Sequence, residues 1–122
     1  MKQRILLIDD DKELCEELRD IFMEEGYFVQ LAHDGPGGKK LIEDDSYDLI
    51  IIDIKLPGLG GLDLLKISKN KEPKTKVFVI SGRPFITDML KDEITKNLVD
   101  GVIGKPFMVE DVVNNIKSVL QR

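Results

Sequence analysis

The stretch Asp48-Leu49-Ile50-Ile51-Ile52-Asp53-Ile54-Lys55-Leu56-Pro57-Gly58 decides how this chain folds. Leu49 to Ile52 is an apolar run with no polar residue alternating through it, as expected of a strand covered on both faces of a parallel sheet. A carboxylate, Asp53, stands where the run stops. Pro57-Gly58, and then Gly60-Gly61, read as turn residues. Similar runs occur at Ile5 to Ile8, Phe28 to Leu31 and Val77 to Ile80, with a weaker one at Val102-Ile103, so five strands are expected.

Helix-period segments separate the runs. Leu14, Leu18, Ile21 and Phe22 recur as one buried stripe, and Val109, Val112, Val113, Ile116, Val119 and Leu120 repeat the pattern at the end. Shorter helices are predicted over Gly38 to Asp44, Leu62 to Ser68 and Ile86 to Lys96. Strand and helix alternating five times predict an α/β sheet with right-handed crossovers and helices on both faces. In such a sheet ligands sit at the carboxyl ends of the strands.

At 122 residues, with 42% hydrophobic and 34% charged side chains, the chain has the size and composition of one domain. No repeat, linker or low-complexity tract interrupts it, so residues 1–122 are expected to be a single domain without an output domain. Cys15 has no cysteine to pair with and is expected on a helix flank, in a reducing compartment. The apolar runs are far too short to cross a bilayer, which predicts a cytoplasmic protein with no membrane insertion. A net charge of −5 disfavours nucleic-acid binding. Lys69-Asn70-Lys71 with Lys74 and Lys76 is broken by Glu72 and Pro73 and reads as a solvated loop. His33 reads as a loop residue away from the acidic cluster.

The chemistry-bearing residues stand at the ends of the runs: Asp9-Asp10-Asp11, Asp53, Ser81-Gly82 and Gly104-Lys105-Pro106. A parallel sheet brings these positions to one edge. Carboxylates gathered there repel one another unless a cation joins them. Magnesium suits them, because it takes oxygen ligands and keeps several waters, whereas zinc would want His or Cys. Asp11 is expected to cap the following helix. The acidic run argues against a phosphate cradle at the first turn. A carboxylate beside a bound cation, with the Ser81 hydroxyl and the Lys105 ammonium aimed at the same point, suits acceptance of a phosphoryl group by Asp53.

Through Leu7-Ile8-Asp9-Asp10-Asp11, the stretch around Asp53, Val79-Ile80-Ser81-Gly82, and Gly101 followed by Lys105-Pro106-Phe107, the chain resembles the response-regulator receiver domains, the CheY-like group of two-component signalling. The resemblance implies a flavodoxin-like (βα)5 fold with strand order 2-1-3-4-5. It implies that Asp53 is the phosphoacceptor, that Asp10, Asp53 and the Lys55 backbone carbonyl bind Mg2+ directly (Mn2+ able to substitute), and that Asp9 acts mainly through water. It further implies that Ser81 hydrogen-bonds the phosphoryl group, that Lys105 pairs with it, and that Lys105-Pro106 is cis. The implied donor is a phosphohistidine on a histidine kinase or phosphotransfer protein, with a downstream partner on the face of the fourth helix, fifth strand and fifth helix.

Three departures from the family pattern modify these expectations. Val102 stands where many receivers carry an aromatic residue that swings inward on phosphorylation. Ser81-Gly82 replaces the commoner Thr-Ala. Lys55 and Arg83 flank the path of the water that would hydrolyse the phosphorylated aspartate, which would suit a relay intermediate with slow dephosphorylation. Two other functions compete with the phosphoacceptor. A haloacid-dehalogenase-like phosphatase would carry Asp-x-Asp after the first strand, and Asp53-Ile54-Lys55 lacks the second carboxylate. A receiver fold acting only as a binding module would work without phosphorylation. Self-catalysed phosphoryl transfer is expected, and turnover of an external substrate is not.

Overall fold

Each of the apolar runs becomes a strand in the computed structural model, which describes residues 2–56 and 59–121. The expected turn at Pro57-Gly58 lies outside the described residues. The strands are β1 (Arg4–Ile8), β2 (Phe28–Ala32), β3 (Leu49–Asp53), β4 (Lys76–Gly82) and β5 (Gly101–Lys105). They form one parallel sheet in the order β2-β1-β3-β4-β5. The helices are α1 (Lys12–Glu24), α2 (Gly35–Asp44), α3 (Gly61–Lys71), α4 (Arg83–Met89), α5 (Glu93–Leu98) and α6 (Val109–Leu120).

The missing polar alternation has a direct structural cause. Successive side chains of a strand point to opposite faces, and both faces of this sheet are covered. Ile5 and Leu7 of β1 join Leu49 and Ile51 of β3 against α1 and α6, where Leu18, Phe22, Val112 and Ile116 are buried. Leu6 and Ile8 face the other way with Ile50 and Ile52, against Ile42 of α2 and Leu64 and Leu65 of α3. Each such side chain contributes about 1.5–3 kcal/mol when removed from water.

Local signals set the boundaries. Asp11 caps α1 by accepting from the Leu14 amide at 3.1 Å, as expected, and Gly26 takes a left-handed φ of 98° just past the end of that helix. Helix α2 begins earlier than predicted, because Asp34 caps it and Pro36 fits its first turn. The helix predicted over Ile86 to Lys96 is two helices. Asp92 accepts from the Thr95 hydroxyl at 2.6 Å and caps a new start, so the chain breaks at Leu90 to Asp92.

Of the lysines read as a solvated loop, Lys69 and Lys71 belong instead to the last turn of α3 and Lys76 opens β4, while Lys74 lies in the turn between them. Lys69 pairs with Asp100 at 2.7 Å and donates to the Thr75 carbonyl at 2.8 Å. The Lys71 ammonium donates to the Ile42, Glu43 and Asp45 carbonyls and so closes the end of α2. Among the described residues no helix is long and apolar enough to cross a membrane.

Candidate functional site

The register of the sheet assembles the site. Ile8 lies beside Ile52, Asp53 beside Ile80, Ser81 beside Gly104 and Gly82 beside Lys105. The carboxyl ends of β1, β3, β4 and β5 therefore stop at one edge. Ser81, Gly82, Gly104 and Lys105 are the closing residues of their strands rather than loop residues beyond them. Lys105-Pro106 is cis, as the resemblance implied.

Asp9, Asp10 and Asp53 each offer a carboxylate oxygen within 4.8 Å of the others. Asp9 is wholly buried and Asp53 is 5% exposed, while Asp10 faces solvent. Lys105 balances part of this charge, with Nζ 3.0 Å from Asp9 Oδ2 and 3.9 Å from Asp53 Oδ2. Backbone amides fix the rotation of the two buried carboxylates: Asp11 donates to Asp9 Oδ1 at 2.9 Å, and Lys55 donates to Asp53 Oδ1 at 3.0 Å. Ser81 is buried on the adjacent strand.

Burial pushes the Asp53 carboxyl above its ordinary value; the Lys55 amide opposes that, and the charges of Asp9 and Asp10 add to it. Lys105 is also shifted up, because the hydrogen bond and charge of Asp9, with Asp53 and Asp11 behind them, outweigh a burial that disfavours its charge. A crowded set of anions with one ammonium still wants positive charge, and a hard, oxygen-seeking divalent cation fits the donor set.

Sequence reasoning misplaced His33 and read Gly61 only as a turn residue, while Cys15 lies on α1 as expected. His33 is not remote from the acidic cluster: its Nδ1 lies 3.2 Å from the Asp9 carbonyl, which can only accept, so Nδ1 carries the proton in that bond. The Cys15 thiol, on the buried side of α1, donates to the same carbonyl at 3.3 Å, and burial pushes its pKa up to about 12. Gly61 is more than a turn residue: a Cβ there would sit 2.3 Å from the Asp53 carbonyl oxygen. A Cβ on Gly35 would meet the Leu59 carbonyl oxygen at 2.1 Å, so α2 presses on the loop that follows β3.

Neither long cation expected to flank the site forms an ion pair with Asp53. The Lys55 ammonium lies over the Phe85 ring, 4.2 Å from its centroid. Arg83 lies along β5, where a Cβ on Gly104 would be 3.3 Å from its Cγ.

A parallel sheet in this order, with three aspartates and a lysine gathered at its carboxyl edge, defines a receiver fold. The chain belongs to the response regulator receiver domain family, whose model matches residues 5–117. Among curated proteins it is 35% identical to the transcriptional regulatory protein CpxR of Escherichia coli (strain K12), over 98% of this chain and 50% of that protein. It is 29% identical to the response regulator MprA of Mycobacterium ulcerans (strain Agy99), over 100% of this chain and 52% of that protein. The chain thus spans about half the length of the curated relatives it matches. Among solved structures, a CheY-like receiver domain protein from Methanospirillum hungatei JF-1 superposes with a TM-score of 0.89 at 30% identity, covering 99% of this chain and 95% of that one. The response regulator TrrA from Thermotoga maritima, in complex with Mg(2+)-BeF, superposes at 0.84 with 28% identity, covering 98% and 100%.

Proposed function

We propose that this receiver domain accepts a phosphoryl group on Asp53 from a phosphohistidine of a histidine kinase or phosphotransfer protein. The observation that carries this reading is the convergence of Asp9, Asp10 and Asp53 with Lys105 at one sheet edge. The P–N bond of the donor breaks as a bond forms between phosphorus and an Asp53 oxygen, and the donor imidazole leaves. Asp9, Asp10, Asp53 and the Lys55 carbonyl would hold Mg2+, for which Mn2+ can substitute; the Mg(2+)-BeF complex of TrrA supports a magnesium site. When bound, the ion neutralises charge on the transferred oxygens.

The chain's own residues do the remaining work. The Lys55 amide holds one Asp53 oxygen and so sets the face that the carboxylate presents. Lys105, already within 3.9 Å, shifts toward the incoming phosphoryl oxygens, and the Ser81 hydroxyl donates to them. Lys55 and Arg83 then slow water attack, as suits a relay intermediate. The domain turns over no external substrate and works in the cytoplasm. The downstream partner docks on the face of α4, α5, β5 and α6, where Phe85, Ile94, Val102 and Met108 are exposed.

Intact-mass analysis after incubation with acetyl phosphate tests the reading. One phosphoryl group is gained with Mg2+, none with EDTA, and none by Asp53→Asn. A folded wild type that binds Mg2+ but gains nothing from acetyl phosphate or from a phosphorylated kinase would leave the binding-module reading standing.

A further inference from the structure

Lys55 occupies an unexpected place. Its exposed side chain springs from the loop two residues after Asp53, beside three carboxylates whose field should draw an ammonium inward. Its Nζ instead lies 4.2 Å from the centroid of Phe85, at the start of α4. Phe85 is 43% exposed, and its ring packs beside Gly82, 3.7 Å from where a Cβ on that residue would stand. Val102 is 41% exposed and offers no aromatic ring on β5. The ring in contact with the loop after the phosphoacceptor is therefore Phe85.

We propose that Phe85 is a positioning residue: it parks the Lys55 ammonium away from the carboxylates of the resting chain and yields it to the phosphoryl group, so that uptake at Asp53 frees the ring on α4. The proposal rests on the phosphoacceptor reading. A ring face attracts a cation through its quadrupole, a short-ranged interaction, whereas a phosphoryl group presents nearly two full negative charges and three acceptor oxygens. The parked ammonium leaves the carboxylate oxygens to a divalent cation before transfer and moves to the phosphoryl group after it. Release of Phe85 changes the apolar surface where α4 meets β5, giving the domain an output that needs no aromatic residue at position 102.

The test uses acetyl phosphate and Mg2+, with one sample read by intact mass and by NMR. In the resting wild type the Lys55 ε-methylene protons are shifted upfield by the Phe85 ring current, and the shift disappears as the phosphoryl group appears. Phe85→Leu lacks the shift and needs about two- to fivefold more Mg2+ for half-maximal uptake, the worth of an exposed cation–π contact; Phe85→Tyr restores both. Uptake with the ring-current shift intact overturns the proposal, as does a Phe85→Leu chain with wild-type Mg2+ dependence or a Phe85→Tyr chain equally impaired. A folded, Mg2+-binding wild type that takes up no phosphoryl group from acetyl phosphate or from a phosphorylated kinase overturns the phosphoacceptor reading, and this proposal with it.

Discussion

Gly61 stands first in α3, in a helical position where alanine would ordinarily gain about 1 kcal/mol over glycine. A Cβ there would lie 2.3 Å from the Asp53 carbonyl oxygen and 2.7 Å from the Ile54 Cα, both backbone atoms that cannot turn aside. The clash outweighs the propensity. Gly61→Ala is expected to destabilise the fold by about 1–3 kcal/mol, as overpacking does, seen as a lower midpoint in urea, and to slow phosphoryl uptake because the Asp53 backbone must shift. An unchanged midpoint would show that the two segments part easily. Nothing in Gly60-Gly61 as letters distinguishes this demand from that of a turn, since the atom that forbids a side chain comes from eight positions earlier. His33 was hidden for the same reason: its partner, Asp9, lies 24 residues away. Asp9, Asp10, Asp53, Ser81 and Lys105 were legible because each ends an apolar run, and parallel strands must end together.

Elements with a local cause were read well, and those with a tertiary cause less so. The stripe of α1 and its cap at Asp11 were plain in the letters. Asp11→Ala should cost about 1 kcal/mol through loss of the bond to the Leu14 amide; a thermal midpoint that does not move would mean that another group covers that amide. Asp11 also donates its own amide to Asp9 Oδ1, and that backbone bond survives the substitution. The break between α4 and α5 was missed because the apolar spacing runs on through it while Asp92 turns its carboxylate back onto Thr95. Lys69 and Lys71 in the last turn of α3 were missed for the opposite reason: their partners, Asp100 and the end of α2, come from elsewhere in the chain.

The site taxes the stability of the domain that carries it. Asp53 binds its proton more tightly in the folded chain than at the ordinary value of 3.8, chiefly because burial disfavours its charge. Between 3.8 and the raised value the folded state holds more protons than the unfolded one. Stability therefore falls as pH rises through that window, and the ionised group remains a burden at neutral pH. In EDTA, Asp53→Asn should raise the thermal midpoint at pH 7, with the gain shrinking as pH falls toward 4. A wild type that is the more stable at pH 7 would mean that the Lys105 pairing outweighs burial.

The bond between Lys105 Nζ and Asp9 Oδ2 joins residues 96 positions apart, one following the first strand and the other ending the last. The buried carboxylate acquires that counterion only when the fifth strand has been made and docked, so a chain halted before position 105 lacks the partner that its first turn requires. The first turn and the last strand of the sheet are thus joined by charge as well as by the core.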